Sequence, residues 1–487
     1  MAAIVEEREG SAAQHACGRL TARERLDILF DEASFVEPGP AGHGVVTGLG
    51  LVQGRPVAAF SQDVTDAGGT ITRQHAEKIG HLIDRATSLG APIVGLYDSP
   101  GSALDEGLSC LAAQAAMLQQ SARAQGRVPQ MALVFGHNVG TAALAPALAD
   151  VTFMLDRASA LYLAGPATLR RATGEIASVE ALGGPSLHAT RTGMADGVFA
   201  NEIDLLLAAR DLLDLLPSAS DKPPPQIATG DPYDREEPAL DKLVPLDPTE
   251  PYDMRDLARA IVDEGELFEI QPGHAANVIC GFGRTEGRTI GIIGNQPMVM
   301  GGAIDSAAAR KAAQFALRCD RFGVPIVTLL DSPGFLPGAA EESRGIVADA
   351  ANLLAALARA SVPRITIVTR RALGTAWTVL GPQPTTSSPC YAWPGAEIAA
   401  MTGNAAAELL FDEGEDQKKR DYAARIADPS SAVDAGFVDA VIPPAATRRT
   451  IAEALRRIAP HAQGSGSLLP IPSPNGAGHM RERDRNG

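Results

Sequence analysis

Aromatic side chains are scarce: Phe, Trp and Tyr together supply 4% of the residues. That excludes a core filled by large rings. The abundant Ala, Gly and Leu suit tightly packed α/β layers, in which small residues let helices approach sheets. No apolar run of about 18 residues escapes interruption, so no transmembrane span is expected. The first ten residues carry Glu6, Glu7 and Glu9 and lack the apolar stretch of a secretory signal. Basic residues are outnumbered, and the formal charge is −16. This argues against nucleic acid or an anionic membrane as partner, though a helix N-terminus can still bind a phosphorylated substrate. The five cysteines, Cys17, Cys110, Cys280, Cys319 and Cys390, are scattered and form no CxxC. Neither a disulfide framework nor a structural metal site is expected, and free thiols fit a cytoplasmic protein.

Familiar catalytic patterns are missing too. There is no Gly-x-Ser-x-Gly elbow, Walker loop, His-Glu-x-x-His or Gly-x-Gly-x-x-Gly opening a helix.

What is present is a repeat. Asp98-Ser99-Pro100-Gly101 recurs as Asp331-Ser332-Pro333-Gly334, Gly68-Gly69 as Gly301-Gly302, and Gly54-Arg55 as Gly287-Arg288, each 233 residues later. Gly140-Thr141-Ala142 recurs as Gly374-Thr375-Ala376 after 234. With 487 residues, two domains are the natural expectation. We divide the chain into a loose N-terminus (1–17), a first domain (18–216), a Pro-rich linker (217–241), a second domain (242–462) and a Gly/Ser/Pro-rich tail (463–487).

Each copy has the same order. A hairpin is predicted over 44–51 and 57–62, and again over 278–284 and 289–295. Helices follow at 72–89 and 307–322, then apolar strands at 92–97 and 325–330 that end in Asp-Ser-Pro-Gly. Helices at 109–125 and 345–360 and strands at 131–135 and 364–368 lead to the Gly-Thr-Ala step and a third helix. Strands alternating with helices, with near-continuous apolar runs, predict a buried and largely parallel α/β sheet. The repeated turns suggest ββα units.

A strand that ends in a small-residue turn exposes backbone N–H groups. At Gly140-Thr141 and Thr375-Ala376 these could stabilise an oxyanion, often the largest single catalytic contribution. One such turn would be ordinary packing, but two at matching positions suggest two enolate-like species. Side-chain candidates are few. His75 fits a satisfied helical polar position, His188 lies in a turn segment, and His137-Asn138 precedes the first candidate hole. Asp98 and Asp331 look like paired acids, but the preferred reading is that each carboxylate organises its own turn.

Several segments carry a resemblance: Arg19-Leu20-Thr21-Ala22-Arg23-Glu24-Arg25, Phe60-Ser61-Gln62-Asp63, His75-Ala76-Glu77-Lys78-Ile79, Pro251-Tyr252-Asp253-Met254-Arg255, Pro333-Gly334-Phe335-Leu336-Pro337-Gly338 and Ala392-Trp393-Pro394-Gly395-Ala396-Glu397-Ile398. Over about 18–460 the chain resembles the carboxyltransferase β subunits of propionyl-CoA and acetyl-CoA carboxylases.

The resemblance implies two tandem crotonase-like domains and a hexamer with sites at dimer interfaces. It implies acyl-CoA bound by the first half and carboxybiotin by the second half of an opposing subunit. In this family the ureido nitrogen takes the α-proton and the enolate attacks CO2. By position, Gly140 and Thr141 would form the acyl-CoA oxyanion hole, and Thr375 and Ala376 the biotin one. Gly68, Gly69, Gly101, Ser102, His137 and Asn138 would line the coenzyme A side. Gly301, Gly302, Phe335, Leu336, Gly338 and Gly374 would line the biotin side, and Thr378 would tune acyl-chain choice. No Met-Lys-Met occurs, so biotin would come on a biotin carboxylase or biotin carrier partner. The family has Gly-Gly where this chain has Gly140-Thr141 and Gly374-Thr375. The alternatives are a decarboxylase or transcarboxylase using the site in reverse, an inactive scaffold in a hetero-oligomeric carboxylase, and a biotin-independent crotonase enzyme using His137 or Asn138 directly.

Overall fold

In the computed structural model, residues 11–458 are described, apart from 39–43, 246, 248, 249, 383–387 and 427. Of the expected loose start 1–17, residues 1–10 lie outside the described residues and 11–16 form a helical turn; the expected tail 463–487 lies outside them.

Each half is built on one mixed sheet. In the first, strands β1 (Val45–Val52), β2 (Arg55–Gln62), β3 (Ile93–Ser99), β4 (Gln130–Val139), β5 (Val151–Leu155) and β7 (Gly197–Phe199) lie side by side in that order, and β6 (Ala160–Tyr162) pairs the far end of β4. In the second the order is β15 (Ala440–Val441), β13 (Cys390–Ala392), β12 (Arg364–Leu373), β11 (Ile326–Ser332), β10 (Arg288–Asn295), β9 (Val278–Thr285) and β8 (Phe268–Ile270), and β14 (Glu397–Ala399) pairs β12. Only the hairpins β1–β2 and β9–β10 and the β8–β9 pair are antiparallel; the rest of each sheet is parallel. Strands β3 and β11 are buried at every position, as a sheet covered on both faces requires.

Helices α1 (Ala22–Leu29), α2 (Arg73–Leu89), α3 (Leu108–Ala124) and α4 (Glu202–Leu215) belong to the first half. Their counterparts are α5 (Met254–Ile261), α6 (Ser306–Arg321), α7 (Ile346–Arg359) and α9 (Thr447–Arg457), while α8 (Thr375–Leu380) follows the second Gly-Thr step. Thr72 caps α2, with His75 in the reciprocal capping role. His75 is thus the satisfied helical residue that was expected.

The halves repeat a device that the sequence does not announce. Asp31 accepts the N–H groups of Gln53 and Gly54 at the β1–β2 turn, at 3.0 and 2.8 Å, and is held by Arg210 of α4 at 2.8 Å. Asp263 accepts those of Glu286 and Gly287, at 3.1 and 2.7 Å, and is held by Arg448 of α9 at 2.8 Å. Both turns need positive φ at two successive residues (50° and 75°; 57° and 72°), which places glycine second.

The halves meet through Phe153 stacked on Phe268, with ring centroids 6.0 Å apart, and through Asp196, whose carbonyl accepts the Gln271 N–H at 2.8 Å and whose carboxylate faces Arg318 at 3.3 Å. Burial raises the Asp196 carboxyl above its ordinary range. Behind this contact the Lys311 ammonium, buried and shifted downward by desolvation, donates to the carbonyls of Gln271, His274 and Val278 at 2.9, 2.9 and 2.7 Å.

Candidate active site

In each half three turns gather at the carboxyl ends of neighbouring parallel strands, where open α/β sheets place their ligands. In the first half they are Ala67–Gly69 beyond β2, Asp98–Gly101 at the end of β3, and Gly140–Ala143 after β4. In the second they are Met300–Gly302 beyond β10, Asp331–Gly334 ending β11, and Gly374–Thr375 after β12.

Backbone hydrogen bonds stitch the first two turns together. Ile71 N–H donates to Gly101 O at 2.8 Å and Ala103 N–H to Ile71 O at 2.9 Å; Ile304 N–H donates to Gly334 O at 3.0 Å and Leu336 N–H to Ile304 O at 2.8 Å. This seats Ser102 beside Ile71 and Phe335 beside Ile304. Glycine is required where the turns touch. A Cβ on Gly69 would lie 2.8 Å from Asp98 O, and one on Gly302 2.4 Å from Asp331 O. The third turn completes the set: a Cβ on Gly101 would lie 3.2 Å from the carbonyl of Val139, the residue before Gly140.

Gly140 (φ 64°) opens a 3-10 turn rather than the expected helix, and a five-residue helix, Leu144–Leu148, follows. Gly374 (φ 52°) leads directly into α8. The Gly374 N–H is taken by Ala399 O at 2.8 Å. The first-turn N–H groups of Thr375 and Ala376 have no acceptor within their own helix. Both threonines have ordinary φ, so their branched side chains sit without backbone strain, Thr375 exposed and Thr141 half-buried.

The structure therefore brings Gly68, Gly69, Gly101, Ser102, Gly140 and Thr141 into one cluster, and Gly301, Gly302, Phe335, Leu336, Gly374, Thr375 and Ala376 into another. Gly338 lies just beyond, with open space over it. Thr378 is exposed one turn into α8, its hydroxyl donating to Gly374 O at 3.3 Å. His137 is exposed on β4, with its ring 6.3 Å from that of Tyr162. Asn138 is fully buried: its Nδ2 donates to Gly136 O at 3.3 Å and its Oδ1 has no partner. His188 is occupied structurally, its ring nitrogens 2.9 Å from Leu161 O and Thr192 Oγ1.

One expectation is corrected. Asp98 and Asp331 do not organise their own turns. The serines do: Ser99 Oγ accepts the Gly101 N–H and Ser332 Oγ the Gly334 N–H, both at 3.2 Å. The carboxylates turn away to arginines that the sequence did not single out. Asp98 pairs with Arg19 at 2.6 Å and Arg25 at 3.1 Å. Asp331 takes Arg370 and Arg371, each at 2.9 Å. Arg370 also lies over the Tyr252 ring, 5.2 Å from its centroid. Burial, with Asp331 nearby, holds the Tyr252 phenol well above its ordinary value. The charge-neutralised aspartates are thus buttresses, and the surface offered by the turns is mainly backbone.

The chain matches known proteins along most of its length. The carboxyl transferase domain family matches residues 13–463. The propionyl-CoA carboxylase beta chain of Cereibacter sphaeroides is 42% identical over 464 residues, covering 91% of each chain. The mitochondrial beta chain of Homo sapiens is 42% identical, covering 90% of this chain and 85% of its own. A transcarboxylase 12S structure with methylmalonyl-coenzyme A and methylmalonic acid bound superposes with a TM-score of 0.91 at 35% identity, covering 95% of this chain and 94% of its own. With backbone-lined turns duplicated across two crotonase-like halves, and a family match spanning nearly all of its length, this chain belongs to the carboxyl transferase family, as a carboxyltransferase β subunit.

Proposed function

We propose that this carboxyltransferase moves a carboxyl group from carboxybiotin, carried on a partner chain, to the α-carbon of an acyl-CoA thioester. The first-half turns take the thioester and the second-half turns take biotin. The observation that carries this reading is the duplicated three-turn cluster: two similar donor surfaces for a reaction with two oxyanions.

The second cluster fits a planar ureido ring. Its walls are backbone, its buttressing carboxylate is neutralised by two arginines, and an added Cβ on Gly301 or Gly338 would meet nothing within 4 Å. Carboxybiotin supplies the carboxyl group and a nitrogen able to take the α-proton. The chain's own part is then electrostatic. The N–H groups of Thr375 and Ala376 face the ureido oxygen. Those of Gly140 and Thr141 face the thioester oxygen as negative charge develops there. Thr378, exposed one turn into α8, is the residue proposed to limit the acyl chain.

Self-association follows from what flanks the clusters. Leu104 (90% exposed), Leu108 (80%) and Leu163 (68%) lie near the first, Ile176 (81%) belongs to the first half, and Val347 (70%) and Leu409 (76%) belong to the second half. A hexamer like that of transcarboxylase 12S, pairing first halves with second halves, would bury them. A biotin carboxylase or biotin carrier chain is the proposed partner and the cytoplasm the proposed location.

The test is carboxylation of an acyl-CoA panel by the purified chain with a biotinylated carboxylase partner, ATP and labelled bicarbonate. Label fixed only with the partner, and with one acyl-CoA class, supports the reading. No fixation with an intact partner refutes it.

A further inference from the structure

The two Gly-Gly turns share a backbone but are held differently. In the second half, three successive carbonyls each receive a side-chain donor. Arg371 Nη2 reaches Gly301 O at 2.9 Å, Asn295 Nδ2 reaches Gly302 O at 3.3 Å, and Asn277 Nδ2 reaches Ala303 O at 2.8 Å. The donors come from three places: the end of β12, the end of β10 and the approach to β9.

At the matching first-half positions this wiring is reduced to its last carbonyl, Thr70 O, which lies 3.2 Å from His75 Nδ1. Gly44 stands where Asn277 would be, and the His75 ring fills the space, 2.2 Å from where a Cβ would lie. Gln62 stands for Asn295 but spends its Oε1 on the Asp98 N–H, at 2.8 Å. His137 stands for Arg371. Among the described residues no side-chain donor reaches the carbonyl of Gly68 or Gly69.

We infer that Arg371 is a positioning residue: it fixes the Met300–Ala303 turn for the carrier-borne ligand and leaves acyl-CoA binding untouched. This rests on the assignment of biotin to the second half. The chemistry favours it. Arg371 is the one donor of the three with partly exposed atoms, and it is locked at its other edge by Asp331 at 2.9 Å. A guanidinium with two fixed acceptors ties the Gly-Gly turn to the Asp-Ser-Pro-Gly turn as one rigid piece. Rigidity suits a ligand that is always the same ring, since a preorganised site loses less freedom on binding. The first-half turn, tied at its ends by Thr70 and His75 but not at its two glycines, keeps more freedom to adjust to its thioester.

The test uses the full chain and follows carboxyl transfer from methylmalonyl-CoA to biocytin, alongside amide exchange of the turns. Arg371→Met is expected to raise the KM for biocytin by about fivefold or more, leave the KM for methylmalonyl-CoA within about twofold, and speed exchange in 300–303 but not in 67–70. Arg371→Lys, which can keep one of the two contacts, should recover part of the biocytin affinity. Arg318→Gln, at the junction of the halves, controls for general destabilisation and should leave both KM values alone. Equal shifts in both KM values, a loosened turn with neither KM changed, or unchanged exchange would overturn the inference. A wild-type chain that transfers nothing to biocytin would overturn the carboxyltransferase reading, and this inference with it.

Discussion

Arg25 and Glu202 meet in a two-pronged ion pair, Nε to Oε2 at 2.8 Å and Nη2 to Oε1 at 2.9 Å, although 177 residues separate them. Both are buried, and the pair joins the first helix of the first half to its last. Breaking a buried pair from one side leaves a charge uncompensated and costs about 3–5 kcal/mol. Glu202→Gln should therefore lower unfolding free energy by about 3 kcal/mol. Arg25→Leu with Glu202→Leu should cost less than the two single changes added, as a denaturant double-mutant cycle would measure.

The two glycines of the second Gly-Gly turn should behave unequally. Both have positive φ, 61° and 80°, but only a Cβ on Gly302 collides with a carbonyl, at 2.4 Å. Gly301→Ala should cost about 1–2 kcal/mol, the left-handed backbone penalty. Gly302→Ala must also displace the Asp331 turn and should abolish measurable transfer. Thermal melts and initial rates on both variants check this.

Thr141→Gly and Thr375→Gly should preserve or raise activity, because only the backbone N–H of each residue is required. Gly374→Ala should do the opposite. Its φ is 52° and its Cβ would lie 2.9 Å from Ala400 O; strain of about 1–3 kcal/mol at the hole corresponds to roughly a 5- to 150-fold loss in kcat. A large loss in either threonine variant would mean that the side chain acts.

The junction of the halves should weaken in mild acid. Burial, followed by the nearby charges of Lys311 and Arg310, lowers the His274 pKa below 6.5, against the opposing pull of the Thr190 carbonyl and Asp305. Below pH 6.5 the unfolded chain gains a proton that folded His274 resists, so stability is full above that pH and falls as pH drops toward the folded pKa. The melting temperature of wild type should fall more between pH 7 and 5.5 than that of His274→Gln.

The repeat made the fold legible: the 233-residue spacing of Gly-Gly and Asp-Ser-Pro-Gly located both sheets and the site turns. Strands β4 and β12 run beyond their predicted ends because the ladder continues after the apolar run stops, through His137 and through Arg370-Arg371. The Asp98 and Asp331 reading failed because a serine one residue on was better placed for the turn's N–H, which freed the carboxylates for distant arginines. Arg19 reaches Asp98 across 79 residues of chain and Arg25 reaches Glu202 across 177, and no local pattern encodes such pairing.

The hairpin clamps have a consequence for how the molecule is made. Asp31 leaves the ribosome long before Arg210, and Asp263 long before Arg448, so each half stays unlatched until its own last helix has emerged. Neither of these two hairpin clamps crosses from one half to the other. The first hairpin can latch once α4 has emerged, while the contacts of Phe153 and Asp196 with Phe268, Gln271 and Arg318 wait for the second half. Each hairpin is thus closed by its own half, and the seam between the halves is the last part of the molecule to form.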